Sequence, residues 1–371
     1  MSATIKHKIL LMTPSLNCGG GEELSTLNIA RELKSRGHEA IFMSSGGPLE
    51  AQLKRHNIRF EKANIRGRGI IGIIKGAAEV RRFLKKEKIS IIHAQTPWPA
   101  LMARLAQVFL LKKAPVIWHD RGIRKSNYKF VARLANIFFD RVVSNSNDEE
   151  NLLLQAGLKK SKSIMVHNGL MLEDYLVPPG QTNSRIRAEL GLNDDSVLIG
   201  MIGRLHPEKG PKWLIAAANI LRDRNIHFIF AGDGPQRKEI EALISRSGLT
   251  DRVHLLGFRD DIANILDQLD VLVIPSESES FGNVALEAML MGVPVVAANV
   301  GGLKEIISDG IDGIFVEPKN PDMIAQNIVK LIENEELRKS ISSRGKQKVV
   351  SYFNIKRVVD EIEQVYEGLI K

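Results

Sequence analysis

Short apolar runs recur along the chain, each bounded by Gly, Pro, Asp or Asn and followed by a stretch with helical spacing. In the first half the runs predict strands at Lys8–Thr13, Glu39–Ser44, Ile89–Ala94, Pro115–His119, Arg141–Asn145 and Ser163–His167. Helices are expected between them, Glu22–Arg36 and Asp148–Gln155 included. Pro178-Pro179-Gly180, with Asn and Ser residues around it, marks a linker. The pattern then restarts, with strands at Val197–Ile202, Ile226–Ala231, Val253–Leu256, Asp270–Ile274, Pro294–Ala298 and Gly313–Val316. Helices follow at about Lys212–Arg222, Gln236–Ser247, Pro321–Asn334 and Glu335–Tyr352. Such alternation predicts an α/β protein whose parallel sheets are covered by helices. No short-period repeat or low-complexity segment interrupts it.

One strand end carries the clearest chemistry. Asp270-Val271-Leu272-Val273-Ile274-Pro275 is a buried-strand pattern, and a helix-forming segment from Asn283 ends at Gly292 before Pro294. Glu279 is therefore expected on the loop after the strand, and Glu287 about one turn inside the helix. Between them, the backbone N–H groups around Phe281, Gly282, Asn283 and Val284 form a helix N-terminus, a natural seat for phosphate. A carboxylate on each side of a phosphate suits a nucleotide-sugar better than a plain nucleotide.

A second loop points the same way. The strand Val197–Ile202 runs into Gly203-Arg204-Leu205-His206-Pro207-Glu208-Lys209-Gly210. Arg204 as a fork and Lys209 as a point charge can converge on one pyrophosphate. Their effect is largest when that group departs, because negative charge grows on it in the transition state. Taken singly, each is equally an ordinary surface cation.

Further groups sit at other strand ends. Gly19-Gly20-Gly21 separates a strand from a helix, as a tight turn or as an anion-binding approach through Gly20 and Gly21. It does not fit the dinucleotide fingerprint Gly-x-Gly-x-x-Gly. His119 and Asp120 end another strand, where an open α/β sheet presents ligand-binding groups. Either could hydrogen-bond a sugar hydroxyl, and the sequence does not separate them. His93, Gln95 and Trp98 follow a third strand and suit either an acceptor pocket or simple packing.

Taken together these pieces resemble a retaining glycosyltransferase of family 4. The resemblance rests on Asn17-Cys18-Gly19-Gly20-Gly21-Glu22, Trp118-His119-Asp120, His167-Asn168-Gly169, Gly203-Arg204 with Lys209-Gly210, Ala231-Gly232-Asp233-Gly234-Pro235, Glu279 to Glu287, and Val300-Gly301-Gly302-Leu303-Lys304-Glu305. It implies the GT-B fold, two Rossmann-like doubly wound domains facing each other across a cleft. Residues 1–175 would be the acceptor-side domain and 176–352 the nucleotide-sugar domain. A last helix, about 353–371, would cross back to the first. The implied reaction moves a sugar from a UDP- or GDP-linked donor to an acceptor hydroxyl, in cell-surface glycan or glycolipid synthesis such as lipopolysaccharide, capsule or exopolysaccharide. The implied catalytic set is Glu279, His119, Arg204 and Lys209, with Glu287 on the ribose diol. His93, Gln95, Trp98 and Asp120 would line the acceptor site. Neither a metal nor a cofactor is expected. The rivals are a sugar-nucleotide epimerase of the same fold and a non-catalytic nucleotide-sugar-binding subunit.

Composition narrows the setting. Cys18 is the sole cysteine, so neither an intramolecular disulfide nor a Cys-based zinc site can form. The chain contains no Asp-x-Asp, Walker A loop, EF-hand loop or His-Glu-x-x-His. The apolar stretches Leu101–Leu111 and Phe130–Phe139 are broken by Arg104 and Arg133, short of the roughly 20 residues a membrane span needs. A cytoplasmic protein, peripheral at most on the inner membrane, is expected. Residues 1–175 carry 29 Lys and Arg against 15 Asp and Glu, whereas the remainder is net negative, so the first half is expected to meet something anionic. With aromatics at 5% and no recognition motif, nucleic acid is not the expected partner. Arg66–Lys88 combines many cations with Ile70, Ile71, Ile73 and Ile74, which predicts a partly helical segment on an anionic membrane.

Overall fold

The computed structural model describes residues 6–17, 21–67, 69–123, 125–175, 186–193 and 195–370. Cys18, Gly19, Gly20, Arg68 and the linker Pro178–Gly180 lie outside the described residues. Two compact units divide the chain, residues 1–169 with 355–371 forming one and residues 170–354 the other. The boundary falls at Gly169, ahead of the expected 175, because Leu170 pairs with Asn354 and packs in the second unit's core.

Among the described residues the first unit holds seven strands: β1 Lys8–Met12, β2 Glu39–Ser44, β3 Arg59–Lys62, β4 Ile91–Ala94, β5 Val116–Asp120, β6 Arg141–Ser144 and β7 Ser163–Met165. Every pairing is parallel, in the order β3-β2-β1-β4-β5-β6-β7. Both faces of the central strands are buried, hence unbroken runs such as Ile9-Leu10-Leu11-Met12 rather than alternation. Each fully buried aliphatic side chain there contributes about 1.5–3 kcal/mol.

The second unit repeats the plan with β8 Val197–Ile202, β9 Ile226–Ala231, β10 Val253–Gly257, β11 Val271–Ile274, β12 Val295–Ala298 and β13 Ile314–Val316. Its parallel order is β10-β9-β8-β11-β12-β13. In both units the winding reverses direction beside the first strand, between β1 and β4 and between β8 and β11. At such a switch point adjacent loops leave on opposite faces and open a crevice at the carboxyl edge, where doubly wound proteins bind ligands.

The helix Ile355–Glu367 completes the first unit. Ile355, Val358, Val359, Ile362, Val365 and Tyr366 form its buried stripe at helical spacing. It packs on the helix Gly21–Ser35. Arg36 donates to Asp360 and Glu363 at 2.6 Å each, and His38 Nε2 lies 2.7 Å from Glu363.

Candidate functional site

The expected residues of the second unit gather on the loops flanking its switch point. Lys209 follows β8, Glu279 follows β11, and the two side chains meet. Lys209 Nζ lies 2.8 Å from Glu279 Oε1 and 2.6 Å from Oε2, while Ser276 Oγ donates to Oε2 at 3.3 Å. The pair is largely buried, its side chains 23% and 10% exposed, so these charge-assisted bonds are strong. Arg204 does not join them. It donates to Glu208 at 2.8 Å and is 63% exposed, and no described contact brings it to Lys209.

Backbone packing holds these loops in place. Gly210 has φ +66°, and a Cβ there would lie 2.1 Å from the Pro275 carbonyl oxygen. Gly301 has φ +50°, and its Cβ would lie 1.9 Å from the Glu279 carbonyl oxygen. Any side chain at either position would force the loops apart. Gly302 N donates to that same Glu279 carbonyl at 3.0 Å, and Glu277 N donates to Glu208 O at 2.7 Å. The loops after β8, β11 and β12 thus form one hydrogen-bonded edge.

The helix Asn283–Met291 starts from Gly282 at this edge. The Phe281 side chain is buried against Phe353, so its ring is turned away from the loop edge. Val284 is half-buried beside the core. Glu287 lies inside the helix, half-buried, and accepts a hydrogen bond from Tyr175. Burial pushes its carboxyl up to about 7, the tyrosine bond opposing that rise. Burial first, and then Glu287, raise the Tyr175 hydroxyl well above its ordinary value.

In the first unit a polar cluster forms at the carboxyl ends of β4, β5 and β6. His93, Gln95, His119 and Asp120 are all buried. His93 Nε2 lies 3.1 Å from His119 Nδ1, and His93 Nδ1 lies 2.7 Å from Tyr366 Oη. Burial, with Arg121 nearby, drives His93 down to about 3 and His119 well below the usual imidazole range, so both rings are neutral. Arg121 donates from Nε and Nη2 to Gln95 Oε1 at 3.1 Å each, and from Nη1 to Asn168. Burial lowers the guanidinium to about 10, the nearby carboxyls opposing. Glu22, bonded to Thr13 Oγ1 at 2.9 Å, is raised to about 7, chiefly by burial. Burial and Glu149 raise Asp120 well above the carboxylate range.

Among the described residues, Gln95 Nε2, His119 Nε2, Asp120 Oδ2, Ser144 Oγ and Asn145 Oδ1 are buried there without a hydrogen-bond partner. Buried polar groups are nearly always paired, so five orphans at one sheet edge indicate a site built for a ligand. Trp98 stands apart, its ring tilted toward Phe130 and packed against the core. Gly21 opens the helix after β1.

The sequence reading did not single out Arg121, Tyr175, Tyr366, Ser144 or Asn145. Arg121 directly follows His119-Asp120, and Ser144-Asn145 ends a strand, so position alone could have raised them. Tyr175 and Tyr366 carry no such signal.

Two doubly wound parallel-sheet units with polar clusters at their carboxyl edges define the GT-B class. The glycosyl transferases group 1 model matches residues 182–348, and the Glycosyltransferase Family 4 model matches residues 19–174. The chain belongs to this family of glycosyltransferases. It is 24% identical to the N-acetyl-alpha-D-glucosaminyl L-malate synthase of Bacillus anthracis, covering 95% of each chain. Identity is 27% to the UDP-Gal:alpha-D-GlcNAc-diphosphoundecaprenol alpha-1,3-galactosyltransferase of Escherichia coli, over 89% of each. Anabaena HepE, solved in complex with UDP-glucose, superposes with a TM-score of 0.87 at 28% identity, covering 98% of this chain and all of that one.

Proposed function

We propose that this glycosyltransferase retains anomeric configuration, works without a metal ion, and takes its sugar from a uridine diphosphate donor. The observation that carries this reading is the Lys209–Glu279 pair at the second unit's switch point. A lysine ammonium has three donors, and two rest on Glu279, so the third remains for a pyrophosphate oxygen. Glu279 in turn holds the charge in place and accepts from a sugar hydroxyl. Arg204, exposed and able to leave Glu208, adds a second cation as the diphosphate departs. Backbone groups at Phe281, Gly282, Asn283 and Val284 take the distal phosphate, and Glu287, backed by Tyr175, takes the ribose diol. UDP-glucose in the related Anabaena protein supports the uridine choice. No protein nucleophile is assigned: attack on the face the leaving group vacates lets a phosphate oxygen take the acceptor proton.

His119 is assigned to a sugar hydroxyl, and His93, Gln95 and Asp120 to the acceptor side. The acceptor is a glycan or lipid-linked glycan, a reading supported by the diphosphoundecaprenol-linked acceptor in the Escherichia coli relative's name. No helix among the described residues is long and apolar enough to cross a membrane, so access to a lipid-linked acceptor falls to surface docking. All exposed large apolar residues described in the first unit lie on three neighbouring segments: Ile70, Ile71 and Ile74; Val108, Phe109 and Leu111; Phe130 and Ile137. Exposed Lys75, Lys112, Lys113, Lys129 and Arg133 accompany them. Of the other apolar residues of Ile70–Lys86, Ala77 and Val80 are buried, whereas Arg81 is tied to the Ala106 and Val108 carbonyls.

A melting-temperature panel of nucleoside diphosphates and their sugars tests the donor, since a ligand of the native state alone raises the melting point. A selective rise with UDP-sugars is expected. A rise with no nucleotide at all overturns the reading. Donor turnover without any acceptor would instead favour an epimerase.

A further inference from the structure

His93, His119 and Tyr366 form a hydrogen-bonded chain whose polarity can be worked out. Both imidazoles are fully buried, nearly parallel at 5° and neutral, so one proton lies between His93 Nε2 and His119 Nδ1. Tyr366 is 1% exposed, and burial keeps its phenol protonated. Among the described residues, the acceptor for that proton is His93 Nδ1, at 2.7 Å. If Tyr366 donates to Nδ1, then His93 carries its hydrogen on Nε2 and donates to His119 Nδ1. His119 must then carry its own hydrogen on Nε2, which is buried and has no partner among the described residues. Either polarity leaves one hydrogen unbonded, on His119 Nε2 or on the Tyr366 hydroxyl, but only the first lies among the unpartnered polar groups at the strand ends, where a ligand oxygen can accept it.

We propose that Tyr366, on the helix that closes the first unit, is a positioning residue that acts through His93 to fix His119 as a hydrogen-bond donor at Nε2. His119 is then no base. It offers an N–H to an oxygen, such as a sugar hydroxyl or ring oxygen, and cannot take the acceptor's proton. The kinetic consequence rests on the assignment of His119 to the donor sugar; the tautomer does not.

The full chain labelled with nitrogen-15 histidine reports the tautomer directly, because protonated and bare ring nitrogens have widely separated shifts. His119→Gln identifies the signal. The wild type should show hydrogen on Nε2 alone. Tyr366→Phe keeps the ring packing and removes the donor, so His119 should become a mixture of both tautomers. Its kcat should fall by about tenfold, less than the 10²–10³ for deleting a transition-state donor outright, with donor KM little changed. His93→Gln, whose amide can accept at one end and donate at the other, should retain the Nε2–H tautomer of His119; His93→Leu should lose it. Hydrogen on Nδ1 of His119 in the wild type overturns the proposal, as does an unchanged tautomer in Tyr366→Phe. Should Tyr366→Phe fail to fold, the wild-type spectrum and the His93 pair still decide. A chain that moves no sugar but shows the Nε2–H tautomer removes the proposed function and leaves this inference standing.

Discussion

Lys209 and Glu279, 70 positions apart, face each other through both carboxylate oxygens at 2.6 and 2.8 Å. The arrangement separates two tasks. Lys209→Ala should lower kcat by on the order of 10²-fold, the usual cost of losing one preorganised charge donor. Glu279→Ala should cut turnover strongly and leave nucleoside diphosphate affinity nearly intact. Glu287→Ala should weaken nucleotide binding itself. Titration calorimetry beside steady-state kinetics checks this, and equal loss of nucleotide affinity in both glutamate variants would refute the division.

Burial pushes the Glu287 carboxyl up to about 7, so its assignment to the ribose makes donor binding depend on pH. If its carboxylate accepts the ribose hydroxyls, donor affinity should strengthen as pH rises from about 6 to 8, and Glu287→Gln should flatten that slope. Stability must move oppositely. A carboxyl raised on folding binds more protons in the native state, so its stabilising effect is complete below about 4.5 and lost as pH rises through about 7. Glu287→Gln should therefore melt above the wild type at pH 8, with the two curves converging near pH 5. Parallel curves would count against a buried carboxyl there.

Activity should survive excess EDTA. The pyrophosphate charge is assigned to Lys209, Arg204 and the edge amides, so no divalent ion is needed to hold the leaving group. Abolition by chelator with recovery on adding magnesium or manganese would sink that assignment.

The first unit should bind anionic vesicles and release them as salt increases. Each cation near such a surface contributes about 1 kcal/mol, so replacing Lys75, Lys112 and Lys113 should weaken binding by roughly 10²-fold. Ile71→Ser with Phe109→Ser should weaken it further without altering the fold, because both side chains already stand in water. Equal sedimentation with neutral vesicles would leave a basic face that meets an anionic glycan instead.

Strands were legible wherever both faces are buried: Val197–Ile202 and Ile226–Ala231 match residue for residue. Arg59–Lys62 was missed because this edge strand, Arg-Phe-Glu-Lys, has no residue fully buried and no apolar run. The strand-end groups were legible by position, since a doubly wound sheet sends its loops to one edge. Their pairings were not. Tyr366 meets His93 across 273 positions, and Lys209 takes Glu279 where a pyrophosphate partnership with Arg204 was expected. Contacts of that separation follow from how strands are ordered in the sheet, and local pattern carries no record of them.

The helix Ile355–Glu367 belongs to the first unit, although the chain builds all of the second unit before reaching it. In chain order the second unit has every strand and helix of its core by residue 354, while the first still lacks one wall. Until that wall docks, the apolar stripe of Ile362, Val365 and Tyr366 and its seat on Gly21–Ser35 have no cover, and His93 has no phenol to lean on. The half of the protein translated first is therefore finished last, and a chain cut after residue 354 would hold every element of the second unit tethered to an unfinished first.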